Sequence, residues 1–248
     1  MAAELDFNHR EKLQTLADQI NAAIDAALAA ENRLRPQRDY LGGSRLGDVC
    51  ARRLQYEYLK LPRDPGREFT GQSLRIFAAG HMFEDLAVEW LSKAGFDLRT
   101  RNRSGEQFGF SAAGDRVQGH IDGVIVAGPG GMAVPALWEC KSANAKNWRD
   151  IAKRGVVASK PVYAAQIALY QAYLGLTDAP ALFTAVNKDT CELWHEAVPF
   201  DGALAQRVSD RAVQILAACD AGETQPRHTA DPQHFECGFC AWKEKCWS

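Results

Sequence analysis

The 248-residue sequence has no apolar run near the roughly 18 residues needed to cross a bilayer, which excludes a spanning segment and gives no reason to expect a membrane partner. No basic stretch followed by an apolar one opens the chain. Glu4 and Asp6 come early instead, so no signal peptide is expected and the compartment reads as cytoplasmic. Charge of one sign is also missing: 29 Lys and Arg against 31 Asp and Glu leave a net charge of −2. No global basic field advertises nucleic acid, and any positive charge that meets DNA must be local. There are no repeats, no low-complexity tracts and no long linkers. A Gly-x-x-x-x-Gly-Lys-(Ser/Thr) loop is absent, so nothing reads as a helicase motor.

What is present is a globular composition, 46% hydrophobic and 24% charged, at a length that a core without disulfides can stabilise. Seven cysteines is an odd number, so complete internal pairing is impossible. In a reducing compartment, clustered thiols point to a metal or to redox chemistry.

Leu13, Leu16, Ile20, Ile24 and Leu28 recur at helical spacing and predict a helix over roughly 8–31. Ser44 is a candidate cap for a second helix running to Leu59 and containing Cys50, Arg52 and Arg53. A third helix is expected from Gln72 to Ala94. Strands are expected at Asp97–Arg101, Gln107–Phe110, Val117–Val126 and Ala133–Lys141. Helices at Asn147–Lys153 and Val162–Leu174 follow, then a hairpin of Leu182–Val186 with Glu192–Val198, then a helix over 202–219 and a short cysteine-rich tail. This order predicts an α/β fold, one mixed central sheet flanked by helices. It is read as one domain with an N-terminal helical region (1–70), a core (71–200) and a C-terminal helix and tail (201–248).

Trp138-Glu139-Cys140-Lys141 ends one of those strands, and alternation puts Glu139 and Lys141 on one face with Cys140 on the other. Glu-x-Lys alone is weak, and an exposed salt bridge would explain it. The preceding strand adds Gly119-His120-Ile121-Asp122-Gly123, an acidic residue within an apolar run. Aspartate is depleted in strands, and a half-buried one needs a partner or a metal. Hairpin pairing brings Asp122 and Glu139 together with Lys141 beside them. Oxygen donors of this kind suit Mg²⁺ or Mn²⁺, which can polarise a phosphodiester and lower the pKa of a bound water. Lys141 would orient or help deprotonate that water and offset developing charge.

Asp122 followed by Glu139-x-Lys141 resembles the motif of the PD-(D/E)XK nucleases. Gly80-His81-Met82-Phe83-Glu84 and Gln166-Ile167-Ala168-Leu169-Tyr170 resemble the upstream and downstream motifs of its RecB-like branch, in the same order and at the same spacing. The resemblance covers most of the chain and implies a restriction-endonuclease-like fold. It implies that His81 or Glu84 approaches the metals, that the backbone carbonyl of Cys140 can ligate one, and that Gln166 and Tyr170 position DNA phosphate or the catalytic lysine. His81 with Glu84, and Gln166 with Tyr170, each share a helical face. His120 is most simply a supporting group. The resemblance further implies exonuclease action on single strands or duplex ends of DNA in recombination, phage replication or CRISPR spacer acquisition. A bacterial or phage source, a recombination, helicase or CRISPR-adaptation partner, and a homo-oligomer are all compatible with it.

Cys237-x2-Cys240-x5-Cys246 is a second, independent signal. Three close thiolates want a fourth ligand, and Cys50 is the best candidate. Zinc and an iron–sulfur cluster both accept four thiolates, so spacing leaves both open. The arrangement resembles iron–sulfur members of the same branch, the AddB-type helicase-nucleases and the Cas-four-type exonucleases, and that resemblance implies a 4Fe–4S cluster clamping the N-terminal helical region to the tail. Cys191 and Cys219 read as packing residues.

Lys146, Arg149, Lys153, Arg154 and Lys160, with Trp148 among them, cluster after the Glu-x-Lys strand and are candidates to contact phosphates and stack on a base, unless they are simply a solvated helix face. Arg52 and Arg53 are a second candidate group. Two other classes of protein fit the sequence: a non-catalytic DNA-end-binding or scaffold subunit, and a zinc-stabilised binding module with a fortuitous Glu-x-Lys.

Overall fold

The structure is a computed structural model and describes residues 15–248. Its contacts divide into two compact units, one made of residues up to Pro36 with Phe69–Ala78, the other of Gln37–Glu68 with Ala79–Ser248.

In the first unit, α1 (Leu16–Leu34) starts from a capping box in which Thr15 and Asp18 satisfy each other's backbone N–H groups. The expected start of this helix, including Leu13, lies outside the described residues. None of the α1 residues is buried. Asp25 pairs with Arg75, and Phe69 meets Phe77 edge-on. Arg75 and Phe77 belong to the first turns of α3 (Gly71–Lys93), whose later turns belong to the second unit.

The second unit holds the sheets. β1 (Leu41–Gly42), β3 (Gly109–Ala112) and β4 (Val117–His120) form one sheet in the order β1-β4-β3, with β1 parallel to β4. β2 (Asp97–Arg99), β5 (Gly123–Ala127), β6 (Ala136–Ala143), β7 (Ala181–Asn187) and β8 (Leu193–Val198) form the other, in the order β2-β5-β6-β7-β8. Only β6 and β7 run parallel there; the other pairings are antiparallel. The expected single central sheet is therefore two sheets. The division falls inside the segment Val117–Val126, which sequence patterning reads as one strand. It breaks at Ile121-Asp122, where the chain leaves the small sheet and enters the large one.

Helices cover both faces of the five-stranded sheet. Ala87 and Leu91 of α3 pack with Ile125, Trp138, Cys140, Leu182 and Val186 on one side. On the other, Leu137, Ala181, Phe183 and Ala185 meet α4 (Ala145–Ser159), α5 (Pro161–Leu174) and α6 (Gly202–Asp220). α5 has Pro161 at its first turn, a left-handed Gly175 cap, and an unbroken run of buried residues from Ala164 to Gln171. α4 is longer than expected. It bends at Gly155 (φ 75°), where the Glu196 carboxylate accepts the Val156 N–H at 2.8 Å.

The expected second helix is also divided, into a short 3-10 turn at Gly43–Arg45 and α2 (Ala51–Tyr58). Cys50 caps α2 rather than lying inside it. The buried Asp48 is the cause: it accepts the Cys50 N–H at 3.0 Å and pairs with Arg53, a local alternative to helical bonding. α7 (Phe235–Gly238) and α8 (Lys243–Trp247) close the described chain. No helix among the described residues is long and apolar enough to cross a membrane.

Candidate active site

The antiparallel register pairs Gly123 with Trp138, so Asp122, at the entrance to β5, stands beside the Glu139-Cys140 peptide of β6. Its Oδ2 accepts the Cys140 N–H at 2.8 Å, which fixes the carboxylate against the strand. Glu139 is wholly buried. Its Oε1 accepts from the Lys141 ammonium and, at 2.5 Å, from Gln166 Nε2. Its Oε2 is buried with no hydrogen-bond partner among the described residues. A buried carboxylate oxygen left unsatisfied is costly, and it marks a place where a cation or an ordered water belongs.

Lys141 reaches Glu139 and lies 4.0 Å from Asp122 Oδ2. Its burial alone would favour the neutral amine, but the charges of Glu139 and Asp122 outweigh that and hold the ammonium protonated well above the usual lysine range. In the same cluster, burial and then Asp122 push the Glu139 carboxyl upward against the pull of Lys141. Glu84, from α3, faces this group. Burial, reinforced by Asp122, raises its carboxyl to about 6. His81, one helical turn earlier, stands 3.8 Å from Glu84 and is largely exposed. The Cys140 thiol points into the apolar core, where burial and then Asp122 raise its pKa and keep it protonated.

α5 supplies the opposite wall. Tyr163, Gln166 and Tyr170 fall on one face at spacings of three and four. Tyr163 places its ring 5.7 Å under the Lys141 ammonium. Gln166 holds Glu139 itself. Tyr170 is buried, and burial and then the Glu139 charge push its phenol upward, with Ser44 close by. The close approach leaves no room beside it: a Cβ on Gly43 would come 2.6 Å from Tyr170 Cε1, and one on Gly119 would come 2.7 Å from the same atom. Tyr163 and Ser44 are site residues that sequence reasoning missed. Tyr163 was detectable, because it lies three residues before Gln166 on the same helical face. Ser44 carried no such signal.

Asp122, Glu84, His81, Lys141, Gln166 and Tyr170 line a cleft of about 550 Å³. His120 lines it too. None of the basic residues Lys146, Arg149, Lys153, Arg154 or Lys160 does so; Arg38 and Arg101 take that place. Trp148 is committed to the fold, with its indole N–H donated to the Ala185 carbonyl at 3.0 Å and its ring packed on the core. Arg154 pairs with Asp150, and Lys160 donates to Asn147, while Lys146, Arg149 and Lys153 lie exposed on α4.

Among the described residues, no three His, Cys, Asp or Glu side chains stand arranged as a finished metal cage. The acidic cluster nevertheless fits a hard divalent cation. Its donors are carboxylates, one of them with an orphaned buried oxygen, and the lysine ammonium supplies the positive charge that the group demands.

Three of the four expected cluster cysteines lie near one another in the same unit. Cys50, Cys237, Cys240 and Cys246 are free and partly buried. Cys240 lies within electrostatic reach of both Cys50 and Cys246, and burial is the first cause of its raised pKa. Arg52 Nη1 lies 3.7 Å from Cys246 Sγ, and the Arg53 charge acts on Cys240. Protein hydrogen bonds already tie the two segments that carry them. The buried Asp64 accepts the Glu244 N–H at 2.6 Å, Trp242 Nε1 donates to the Leu61 carbonyl at 3.0 Å, and Ala241 accepts from Asp64 N at 2.8 Å. The clamp observed is thus one of hydrogen bonds. Among the described residues these thiols do not stand as a finished metal-binding group.

No protein-family model matches the sequence, and no curated protein is significantly similar to it. Among solved structures the chain is similar to the crystal structure of SSO0001, at 15% identity and a TM-score of 0.50 over 94% of this chain and 98% of that one. It is also similar to an alkaline exonuclease (LHK-Exo) from Laribacter hongkongensis, at 16% identity and a TM-score of 0.49 over 81% of this chain and 93% of that one. The complex of LHK-Exo with dAMP gives 16% identity and a TM-score of 0.49 over 74% and 89%. At such identities the likeness to SSO0001, which spans nearly the whole of both chains, is one of fold.

The titration of Glu84 has a measurable consequence. A carboxyl near 6 is largely protonated at about pH 5 and charged at about pH 7. Mn²⁺ affinity, read by calorimetry, is expected to climb with pH in the wild type and to climb less steeply across that window in Glu84→Gln, where only the Glu139 proton remains to be displaced. Stability moves the other way. The folded state holds this proton more tightly than the unfolded chain (ordinary value 4.5), so stability falls as pH rises from about 4.5 through about 6. Glu84→Gln is therefore expected to raise the melting temperature at neutral pH in metal-free buffer. An unchanged or lower value would contradict the assignment.

Proposed function

We propose that this chain is a divalent-metal-dependent deoxyribonuclease of the PD-(D/E)XK type that hydrolyses phosphodiester bonds at DNA ends. The observation that carries this reading is the buried Glu139, with one oxygen held by Gln166 and Lys141 and the other unsatisfied, beside Asp122 at an open cleft. A structural ion pair would not leave a buried carboxylate oxygen without a partner, nor surround it with further carboxylates that raise its proton affinity.

Asp122 and Glu139 would hold Mg²⁺ or Mn²⁺, with Glu84 and His81 on the adjoining wall and the Cys140 carbonyl as a further donor. Such an ion polarises the phosphodiester and makes a bound water acidic enough to attack. Lys141 is the cation that balances Glu139 and Asp122 in the free protein. It would donate hydrogen bonds to the attacking water or a phosphate oxygen and offset developing negative charge. Gln166 fixes the Glu139 carboxylate, and Tyr163 holds the ammonium from below. Tyr170 packs α5 against the 3-10 turn that follows β1 and carries Ser44.

The spacing of Cys237, Cys240 and Cys246, with Cys50 within reach of Cys240, supports a 4Fe–4S centre on these four thiols, with zinc as the competing occupant. Its part in the nuclease is structural. Action in recombination, phage replication or CRISPR adaptation belongs to the same proposal.

Lys141→Met separates hydrolysis from a DNA-binding scaffold. Cutting of DNA is expected to fall by about 100-fold or more while calorimetric Mn²⁺ binding persists, because the ligands remain and a competing cation has gone. Undiminished cutting by this variant would remove Lys141 from the mechanism. Absence of cutting in the wild type itself would favour the scaffold.

A further inference from the structure

The lining of the cleft carries both signs of charge. Glu84, Asp85 and Asp122 contribute carboxylates, and Arg38 and Arg101 are the lining guanidinium groups, with no carboxylate partner among the described residues. Arg38 comes from the segment leading into β1. Its guanidinium sits 5.8 Å from the centre of the Tyr40 ring, and a Cβ on Gly42 would come 2.9 Å from its Nη1. The side chain is exposed, and among the described residues no carboxylate pairs with it. Arg101 follows β2 and pairs across to Gln107, which also lines the cleft. It donates one N–H to the Gly105 carbonyl at 2.9 Å, which leaves the rest of its fork unspent. A planar fork held on an aromatic ring and facing a cleft matches the oxygens of a phosphate.

We propose that Arg38, seated on Tyr40 and assisted by Arg101, binds a second phosphate of the DNA strand whose scissile phosphate lies at the carboxylates. This rests on the nuclease reading and adds the substrate's other anchor. A cleft of about 550 Å³ lined by both carboxylates and guanidinium groups accepts one strand by two different devices. At the carboxylates a bound cation would meet the scissile group, and at Arg38 a guanidinium would meet its neighbour. The neighbouring phosphate is either the terminal one of the strand or the next internal linkage.

Three single-stranded oligonucleotides distinguish these sources: one with a terminal phosphate, one with a terminal hydroxyl, and one with a single neutral methylphosphonate at the first internal linkage. Affinities are read by fluorescence anisotropy in the Glu139→Gln background, with and without Arg38→Gln. Arg38→Gln is expected to weaken the phosphorylated strand about tenfold and to lower its salt slope by about one. It is expected to cost nothing further on the strand that already lacks the contacted phosphate. Coupling to the terminal group identifies an end-phosphate site, and coupling to the methylphosphonate an internal one. Arg38→Lys retains part of the affinity, and an unchanged melting temperature shows that the exposed side chain is not holding the fold. Equal loss on all three strands, or loss on none, overturns the proposal. Coupled binding by a wild type that cuts nothing would sink the nuclease reading and leave the anchor standing. Cutting without coupling does the reverse.

Discussion

Glu139→Gln is expected to reduce DNA hydrolysis by at least about a thousand-fold while leaving the protein folded. Glutamine keeps the shape of the side chain, so the packing around this wholly buried residue survives. It removes the charge that a cation needs and that Lys141 balances. Divalent binding is expected to fall with it, unlike in Lys141→Met, where binding persists. In the wild type, cation binding should release protons, because burial and Asp122 raise the proton affinity of the Glu139 carboxyl. Calorimetry in buffers of different ionisation enthalpy reads that release. Glu139→Gln retaining a tenth of the wild-type rate would show that the carboxylate is structural.

Cys246→Ser is expected to have the second largest effect. After anaerobic purification, the wild type should carry four irons and a visible charge-transfer band, and the variant should lose both. Its melting temperature should drop by about 10 °C, because a ligand that binds only the folded chain no longer stabilises it. The fold should not vanish altogether. Asp64, Trp242 and Arg53 hold the tail to the α2 region through protein hydrogen bonds that do not involve sulfur. Cys191→Ser, at an exposed turn, is the control that changes nothing. A colourless wild type with one bound zinc would replace the cluster by zinc. A wild type with neither metal would end the four-thiol reading.

Much of the site was legible before any coordinates, because its residues carry periodicities that the fold preserves. Glu139 and Lys141 two apart on β6 had to share a face, and Gln166 and Tyr170 four apart on a helix had to point together. The pairing of Asp122 with the Glu139 strand followed from one short connection. The break at Ile121-Asp122 was not legible. Val117–Val126 alternates well enough to read as one strand, and only the pairing of its two halves with different neighbours divides it. The splitting of the second helix depended on Asp48, whose side chain competes for the Cys50 N–H in a way that spacing does not reveal. None of the basic residues of α4 lines the cleft, and Trp148 is taken up by the core, which clustering in sequence does not reveal. Arg38 and Arg101 lie 63 positions apart, and folding alone brings both to the cleft lining.

The most direct test of a metal site at Asp122 and Glu139 is the degradation of end-labelled single- and double-stranded DNA by the anaerobically purified protein in Mn²⁺. Chelation and Asp122→Asn serve as the two controls. The account predicts that the wild type cuts, that both controls abolish cutting, and that the order in which label is released reports polarity. Cutting that persists under chelation or in Asp122→Asn would contradict it, as would a folded, metal-replete wild type that leaves every substrate intact.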